Sequence, residues 1–327
     1  MAMTQHLSVF ENKIQQAINE LGLNKEPTSL FEPINYIMSL GGKRLRPILT
    51  LMAADLFDGD IDKAVPPALG IELFHNCSLV HDDLMDNATL RRGKPTVHLV
   101  WDNNTAILSG DAMITFAYDH ITKVPNEILA DTFRLFSSTI MEIWKGQQYD
   151  LDFETRSDVT EAEYLEMIKL KTAVLIGCSL KMGAIVAGAP AKDADLLYEY
   201  GINIGLAFQL KDDLLDVYGN PETFGKNIGG DITSNKKTFL LIKALKKSNP
   251  QQKTELEKWL ATEQFDASEK INAVKKIYDE LNLKSISENL IEKYYLASLD
   301  CLAAIDVPEE KKKGLRTLSE DLMYREK

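Results

Sequence analysis

Cysteine is scarce in this chain of 327 residues, which has three cysteines, Cys77, Cys178 and Cys301. They are too few and too far apart for a disulfide framework or a zinc cluster, so they indicate buried thiols in a reducing compartment. Apolar runs of transmembrane length are missing, and the segment after Met1 lacks the apolar centre of a signal peptide. These absences predict a cytoplasmic protein without stable membrane insertion.

Positive charge is also in deficit. The chain has 37 Lys and Arg against 49 Asp and Glu, which gives a net charge of −12. A chain of this charge has no long-range field that attracts nucleic acid, so we expect no nucleic-acid partner. Binding of a polyanion would require a local basic site or a bound metal. Since 45% of the residues are hydrophobic and 26% are charged, the composition indicates a folded globular protein.

Alternating strand patterns flanked by hairpin turns are absent, whereas apolar residues recur with helical spacing. Phe10, Ile14 and Ile18, for example, share one helical face. The same spacing predicts helices at residues 10–23, 45–57, 66–87, 103–121, 126–153, 160–187, 191–217, 235–247, 251–262, 267–305 and 308–324. Glycine and proline separate these segments. Several segments are long and apolar over much of their circumference, which predicts one all-α bundle spanning 1–327.

Two acidic runs break the amphipathic pattern. His81–Asp86 (HDDLMD) and Lys211–Asp216 (KDDLLD) each lie near the end of an apolar helix. The outer aspartates of each run are four residues apart, about 6 Å along one helical face. Like charges at a helix C-terminus repel each other and oppose the helix dipole. A divalent cation reverses that penalty, and hard oxygen ligands suit Mg²⁺, so the two runs predict a magnesium site.

Basic residues accompany the acidic runs. Gly41–Pro47 (GGKRLRP) is a glycine turn that leads into a helix, and Arg91–Arg92 follows the first acidic run. Lys171 lies inside an apolar helix, and Lys226 and Lys236 follow the second acidic run. Arginine and lysine are the side chains that bind diphosphate. The combination of six aspartates with these cations indicates metal-bridged phosphate chemistry.

Six motifs occur in order between residues 41 and 238, namely GGKRLRP, HDDLMDNATLRRG, GQQYDLDF, LKTA, FQLKDDLLD and GKNIGGDITSNKKT. In this order and spacing they closely resemble the trans-isoprenyl diphosphate synthases, the polyprenyl synthetase family. The resemblance implies a single all-α domain around a deep central cavity. It also implies that the two aspartate motifs face each other across the mouth of this cavity.

The resemblance implies a set of site residues around three Mg²⁺ ions. The principal metal ligands would be Asp82, Asp86 and Asp212. Indirect or water-mediated metal contacts are implied for Asp83, Asp213 and Asp216. The allylic diphosphate would be held by Arg91, Lys171 and Lys226, which with the principal ligands form the expected catalytic set. Isopentenyl diphosphate would contact Lys43, Arg46, His75 and Arg92. The pocket would be supported by Thr172, Gln209 and Lys236.

The implied reaction is the ionisation of an allylic diphosphate, followed by head-to-tail attack of isopentenyl diphosphate on the carbocation. Pyrophosphate leaves and accepts the proton. In this family, bulky aromatics one turn before the first aspartate motif stop growth at farnesyl. Here those positions are Cys77 and Ser78, which are small, and Phe74 lies about 12 Å from Asp82 along the helix as the next barrier. We therefore expect geranylgeranyl diphosphate as the product, with farnesyl or longer polyprenyl products as alternatives.

Other functions remain open at this stage. A terpene cyclase of the same fold would ionise the allylic substrate alone, but such enzymes usually lack a second complete aspartate motif and the basic isopentenyl site. A non-catalytic synthase subunit is expected to lose one aspartate motif, and neither motif is lost here. The family resemblance also implies a homodimer, for which we expect residues Trp101–Ala117 to form part of the interface.

Overall fold

A computed structural model describes residues 2–220 and 228–324 of the chain. The all-α prediction is confirmed, because the described residues form helices joined by short connections and one very small hairpin. No described helix is long and apolar enough to cross a membrane. In chain order, the helices are α1 (Ala2–Asn19), α2 (Thr28–Ser39), α3 (Leu45–Leu56), α4 (Ile61–Met85), α5 (Val97–Val100), α6 (Asn103–Ile121), α7 (Asn126–Thr155), α8 (Glu161–Ile168), a π-helix (Lys169–Ala173), α9 (Val174–Val186), α10 (Ala191–Tyr218), α11 (Gly230–Thr233), α12 (Phe239–Lys247), α13 (Pro250–Ala261), α14 (Ala267–Glu280), α15 (Leu283–Ala303) and α16 (Glu309–Tyr324).

Contacts within the chain divide it into two compact units. The first unit comprises Met1–Ser138, Cys178–Tyr198 and Asp306–Gly314. The second unit comprises Thr139–Gly177, Glu199–Ile305 and Leu315–Lys327. Each unit contains fully buried aromatic side chains, such as Phe74 in the first and Tyr164 in the second. The single domain spanning 1–327 and its central cavity stay predictions.

Helix α4, which carries the first aspartate motif, begins at Ile61, earlier than the predicted start at residue 66. The side chain of Asp60 caps it by accepting a hydrogen bond from Asp62 N at 3.0 Å. The prediction that Pro66 and Pro67 separate two elements is wrong, because both lie inside α4. They occupy its N-terminal part, where their fixed φ suits a helix and the long buried surface that follows offsets the lost hydrogen bonds.

Two helix boundaries differ from the helical pattern for identifiable reasons. The prediction of one helix over 267–305 is wrong, because Asn282 adopts a left-handed conformation (φ 54°) between α14 and α15. Asparagine tolerates this conformation better than most residues. Helix α2 was not predicted, and Pro33 lies inside it. An internal proline weakens a helical prediction even where burial stabilises the helix.

A short hairpin follows α4 and corrects the expectation that hairpins are absent. Strands β1 (Leu90–Arg91) and β2 (Lys94–Pro95) pair antiparallel, with Arg91 opposite Lys94. The turn between them has positive φ at both residues, 52° at Arg92 and 75° at Gly93. A two-residue turn of this kind matches the twist of a hairpin. Strands of two residues are too short to produce an alternating pattern in the sequence.

The predicted helix over 160–187 is interrupted by the π-helix, which contains Lys171 and Thr172. Helix α7 approaches this segment closely at Gly146, where a Cβ atom would lie 2.4 Å from Lys171 N. Only glycine permits such an approach of two backbones. A π-helix inside an α-helical region occurs frequently at functional sites. The GQQYDLDF and LKTA motifs therefore meet within the second unit.

Candidate active site

The first aspartate motif occupies the C-terminal end of α4, and its middle carboxylate is committed to an arginine. Asp83 is 2% exposed. Arg91 Nε donates to Oδ1 and Oδ2 of Asp83 at 3.0 and 3.1 Å, and Arg91 Nη2 also donates to Oδ1. Burial raises the pKa of Asp83, and the bonds from Arg91 partly offset this effect. Asp83 therefore fixes the guanidinium of Arg91 and is poorly placed to bind a metal directly.

The outer aspartates of this motif are more accessible. The side chain of Asp82 is 22% exposed, with its Oδ2 at 3.9 Å from Arg91 Nη2, and Asp86 is exposed at the helix end. Burial lowers the pKa of Arg91, but the hydrogen bonds with Asp83 and the negative charges of the motif outweigh this effect, so the pKa lies above the ordinary value of arginine. The hairpin thus places a permanent cation beside Asp82, and accessible carboxylates flank the buried one.

Arg92, on the same hairpin, lies against the glycine turn of GGKRLRP. Its Nη1 donates to Gly41 O. A Cβ atom on Gly42 would lie 2.8 Å from Arg92 Cζ, so a side chain at this position would displace the guanidinium. Lys43, the next residue of the turn, is exposed. Gly42 therefore permits a close approach between the backbone and an arginine, whereas Gly41 is distinguished by its positive φ of 77°.

Arg46 and His75, two of the residues expected to contact isopentenyl diphosphate, meet at the start of α3. Arg46 Nη1 lies 3.1 Å from His75 Nε2, and arginine can only donate, so Nε2 accepts and the proton resides on Nδ1. Burial, with the nearby charges of Arg46 and Arg92, lowers the pKa of His75 well below its ordinary value. Burial also lowers the pKa of Arg46 to about 10. Arg46 Nε is buried and has no hydrogen-bond partner within the described chain, which leaves a donor suited to an anion.

A buried ion pair beneath this cluster was not predicted. Arg44 Nη1 donates to Glu72 Oε1 at 2.6 Å, and Asn76 Nδ2 donates to the same oxygen at 2.8 Å. The side chains of Arg44 and Glu72 are 9% and 2% exposed. Arg44 has a left-handed backbone (φ 46°). The signal for this pair was available in the sequence, because Glu72 is a lone carboxylate inside the apolar run of α4.

The three residues expected to control product length lie along α4. Phe74 is fully buried, and its ring packs edge-on against Phe136 with centroids 5.7 Å apart. Cys77 is also fully buried. Ser78 is partly buried, and its hydroxyl donates to His75 O at 2.8 Å. Their role in product length stays a prediction.

In the second aspartate motif, on α10, the middle carboxylate is again held by the protein. Asp213 is 5% exposed; its Oδ2 accepts from the hydroxyl of the buried Tyr164, and its Oδ1 accepts from Gln209 Nε2 at 3.0 Å. Thr172 Oγ1 donates to Gln209 Oε1 at 3.3 Å. Burial raises the pKa of Asp213 to about 6. The structure thus joins Thr172, Gln209 and Asp213 in one hydrogen-bonded chain, whereas Asp212 is less buried.

Asp216, the last aspartate of the motif, holds the segment that follows. Its Oδ2 accepts from Asp231 N at 3.0 Å, and Lys236 N donates to Asp231 O at 2.9 Å. Burial raises the pKa of Asp231 to about 7, the positive charge of Lys236 opposes that rise, and the neighbouring aspartates add to it. Asp231 was not predicted as a site residue, although it lies in the quoted motif GKNIGGDITSNKKT.

Lys171, in the π-helix, forms an ion pair with Asp150. Its Nζ lies 2.5 Å from Asp150 Oδ2, with both side chains about one-fifth exposed (23% and 18%). This contact neutralises a lysine that would otherwise be costly in an apolar helix. Lys226, the third expected ligand of the allylic diphosphate, lies outside the described residues.

The donor chemistry fits Mg²⁺. No three or more His, Cys, Asp or Glu side chains in ranges 2–220 and 228–324 are grouped so that they could hold a metal by themselves. Magnesium does not need such a group, because it usually takes one or two carboxylates and completes its shell with water and substrate phosphate. A cation near Asp212, Asp216 and Asp231 would also offset the mutual repulsion that raises the pKa of Asp231.

Comparison with known proteins decides the family. A model of the polyprenyl synthetase family matches residues 27–281. This chain belongs to the polyprenyl synthetase family. The membership confirms the predicted enzyme class, a trans-prenyltransferase that makes polyprenyl diphosphates.

Individual members of the polyprenyl synthetase family are similar over nearly the whole chain. The geranylgeranyl diphosphate synthase of Sulfolobus acidocaldarius is 34% identical, with 98% of this chain and 100% of that protein covered. A crystal structure of a geranylgeranyl pyrophosphate synthase superposes with a TM-score of 0.93 at 44% identity, covering 98% of both chains. A polyprenyl synthase from Caulobacter crescentus, complexed with calcium and isoprenyl diphosphate, gives 0.88 at 27% identity, covering 99% and 97%.

Proposed function

We propose that this protein condenses isopentenyl diphosphate head to tail with an allylic diphosphate, and that geranylgeranyl diphosphate is its product. The observation that carries the proposal is the cationic cluster of the first unit. Arg46 Nη1 lies 3.1 Å from His75 Nε2, Arg92 contacts the glycine turn before Arg46, and Arg91 is bound to Asp83 of the HDDLMD run. In a chain of net charge −12, such a cluster is suited to a strongly anionic ligand. The names of the relatives support the product.

The expected roles follow from how each side chain is held. The family resemblance implies three Mg²⁺ ions, with Asp82 and Asp86 as expected ligands in the first unit and Asp212 in the second. When bound, Mg²⁺ would stabilise the charge on departing pyrophosphate. Arg91 is an expected ligand of the allylic diphosphate, as are Lys171 and Lys226, and the Asp83 carboxylate orients the guanidinium of Arg91. A cation held in place before the reaction stabilises developing negative charge without reorganisation.

Isopentenyl diphosphate would bind at the other end of the cluster. Arg92, on the hairpin, lies against the glycine turn that carries Lys43, and Arg46 offers its buried Nε. His75 is neutral at pH 7 and would donate from Nδ1 because Nε2 accepts from Arg46. In the second unit, the amide of Gln209 and the backbone dipoles of Lys171 and Thr172 would stabilise the carbocation. Lys236 would add positive charge near the second motif.

A turnover assay tests the proposed function. The protein is incubated with Mg²⁺ and one of three substrate mixtures: isopentenyl diphosphate alone, an allylic diphosphate alone (dimethylallyl, geranyl or farnesyl), or the two together. The released pyrophosphate is measured and the products are separated. We expect release only when both substrates are present, loss of activity with EDTA, and a twenty-carbon product. Release from the allylic substrate alone would instead indicate a terpene cyclase. Absence of turnover with every combination would favour a non-catalytic subunit.

Product length has a specific test at Ser78. We expect Ser78→Phe to shorten the product to farnesyl diphosphate or less, because a phenyl ring one turn before Asp82 would block the growing chain. Ser78→Ala is the matched control, and its product should keep the wild-type length. Chromatography of the dephosphorylated products measures the change. An unchanged product in folded Ser78→Phe would remove Ser78 from the proposed floor.

We also propose that the protein is a homodimer and is cytoplasmic. Ile107 and Leu108 of α6, within the expected interface Trp101–Ala117, are 44% and 60% exposed. Exposed apolar side chains of this kind mark association surfaces. Three free cysteines support a reducing compartment.

Light scattering tests the dimer. It should give twice the 36.7 kDa mass of one chain, and Leu108→Glu should halve that mass. Leu296→Glu, at another exposed leucine, is the control and should leave the mass unchanged. A single-chain mass for the unaltered protein at all concentrations would overturn the dimer.

A further inference from the structure

Lys270, on α14, is a buried lysine that the expected reaction does not use. It is 1% exposed. Within the described part of the chain, no carboxylate forms an ion pair with it. An ammonium group removed from water without a counter-charge is costly unless other groups satisfy its donors. The contacts of Lys270 must therefore offset the free-energy cost of burying its ammonium group.

Uncharged acceptors and an aromatic ring surround the ammonium. Lys270 Nζ donates to Asn235 Oδ1 at 2.6 Å and to Thr233 O at 3.4 Å. The ring centroid of Phe265 lies 4.1 Å from Nζ, within the range of a cation–π interaction. The two hydrogen bonds both reach the short segment that follows the second aspartate motif.

These bonds fix the backbone of that segment at its C-terminal end. Thr233 is the last residue of α11, and Asn235 has a left-handed conformation (φ 57°). Asn235 Nδ2 also donates to Leu260 O at 3.1 Å, so both polar atoms of its side chain are bonded. The two hydrogen bonds of its side chain hold Asn235 at this positive φ. The backbone conformation of Asn235 in turn fixes the direction of the chain at the next residue, Lys236.

The same helix also contacts the N-terminal end of the segment. Gly229 has φ 84°, and a Cβ atom on it would lie 2.5 Å from Ile271 Cδ1. Adjacent residues of α14, Lys270 and Ile271, therefore contact both ends of Gly229–Lys236. Within this segment, Asp231 N is bonded to Asp216 Oδ2, and Lys236 N is bonded to Asp231 O.

We propose that Lys270 is a positioning residue that holds the Gly229–Lys236 segment so that Asp216 and Lys236 keep their places at the second aspartate motif. The proposal rests on the proposed function. Among residues 2–220 and 228–324, Lys270 Nζ donates to Thr233 and Asn235 and to no aspartate, so its effect on the motif is indirect. It lines one small cavity with Asp231 and Lys236 but faces Asn235. Removing its charge should disturb metal and allylic diphosphate binding and leave the isopentenyl residues of the first unit unaffected.

The test compares Lys270→Met with a matched lysine on the same helix. Lys275 is partly exposed and pairs with Asp279 at 3.0 Å, so Lys275→Met makes the same chemical change away from the segment. For Lys270→Met we expect the Mg²⁺ concentration for half-maximal rate and the KM for the allylic substrate to rise about 10-fold or more, since small displacements of positioned groups are costly. The KM for isopentenyl diphosphate should change less than about 3-fold, and Lys275→Met should alter no parameter beyond about 2-fold.

A second variant covers the case in which Lys270→Met does not fold. Asn235→Gly removes the acceptor while keeping a residue that favours positive φ, and it should produce the same kinetic split. When both single variants fold, the double variant should lose less than the product of the two single effects. Unchanged KM values and an unchanged Mg²⁺ dependence in folded Lys270→Met would overturn the proposal, including the case in which only kcat falls because the active fraction is lower. Failure of the unaltered protein to turn over would instead contradict the proposed function.

Discussion

Asp82→Asn is expected to lower kcat by about 10²–10³-fold, because an amide replaces a carboxylate that we place on Mg²⁺. The same change should leave the free energy of unfolding unchanged or raise it by less than about 1 kcal/mol, because Asp82, Asp83 and Asp86 repel one another at a helix C-terminus. Loss of activity without loss of stability distinguishes a metal ligand from a structural residue. Steady-state kinetics across a Mg²⁺ titration, with urea unfolding of the same preparations, measures both quantities.

Asp83→Asn is the matched control, because it makes the same chemical change one residue away. Asp83 is buried and receives the guanidinium of Arg91 on both oxygens. This variant should be less stable than the unaltered protein, since the charged hydrogen bonds between the buried carboxylate and the partly exposed Arg91 are lost. A kcat for Asp82→Asn within about 10-fold of wild type at saturating Mg²⁺ would exclude Asp82 as a principal ligand.

Glu72→Ala should have the largest effect on stability, with the free energy of unfolding lowered by about 3–5 kcal/mol. Glu72 lies among Arg44, Arg46 and Arg92. Burial lowers the pKa of Arg46 and of Arg92, and the negative charge of Glu72 opposes that lowering in both. Without it, Arg44 would remain buried without its partner, near other cations. The midpoint and slope of a urea unfolding curve give the free energy.

Two further variants define what the loss means. Arg44→Met combined with Glu72→Leu should recover most of the stability, because a well-packed apolar pair can replace a buried ion pair. Asp62→Ala breaks an ion pair with Lys13 at the surface, where the Asp62 side chain is 77% exposed and the Lys13 side chain is 36% exposed. This change should lower the free energy of unfolding by less than about 1 kcal/mol. Equal effects of Glu72→Ala and Asp62→Ala would show that burial of the Arg44 pair has no energetic consequence.

Much of the fold was predictable because most helices obey one period. Helices α6, α7 and α10 agree closely with the patterns at 103–121, 126–153 and 191–217. The ends of helices were predicted poorly where the conformation of a single residue, and not the helical spacing of apolar residues, decides the structure. Asn282 ends a helix through its own backbone conformation, and Pro66 remains inside one because its surroundings compensate.

For the candidate site, the sequence predicts which charged groups take part but not the contacts that hold them. Spacing along one helix brings Asp82 and Asp86 to one face, and the motifs give Arg46 and His75 as expected contacts of isopentenyl diphosphate. The contacts of Asp83 with Arg91 and of Asp213 with Tyr164 depend on packing between elements, which no local pattern encodes. Glu72 is an exception visible in the sequence, because it is a lone carboxylate in an apolar stretch, although its partner Arg44 is not. Lys270 gives no such signal, because its helix is rich in charged residues.

The π-helix at Lys169–Ala173 has a consequence for how this protein tolerates deletions. The π-helix contains one residue more than the same turn of an α-helix. It therefore rotates every later side chain of the continuing helix by about 100° about the helix axis, relative to an uninterrupted α-helix. Deleting one residue there would restore regular geometry locally. It would also rotate Val174, Leu175 and Ile176, all now buried, away from their present neighbours. The π-helix thus determines which side of α9 is buried. If this segment were one residue shorter and regularly α-helical, residues that are now buried would turn away from the core.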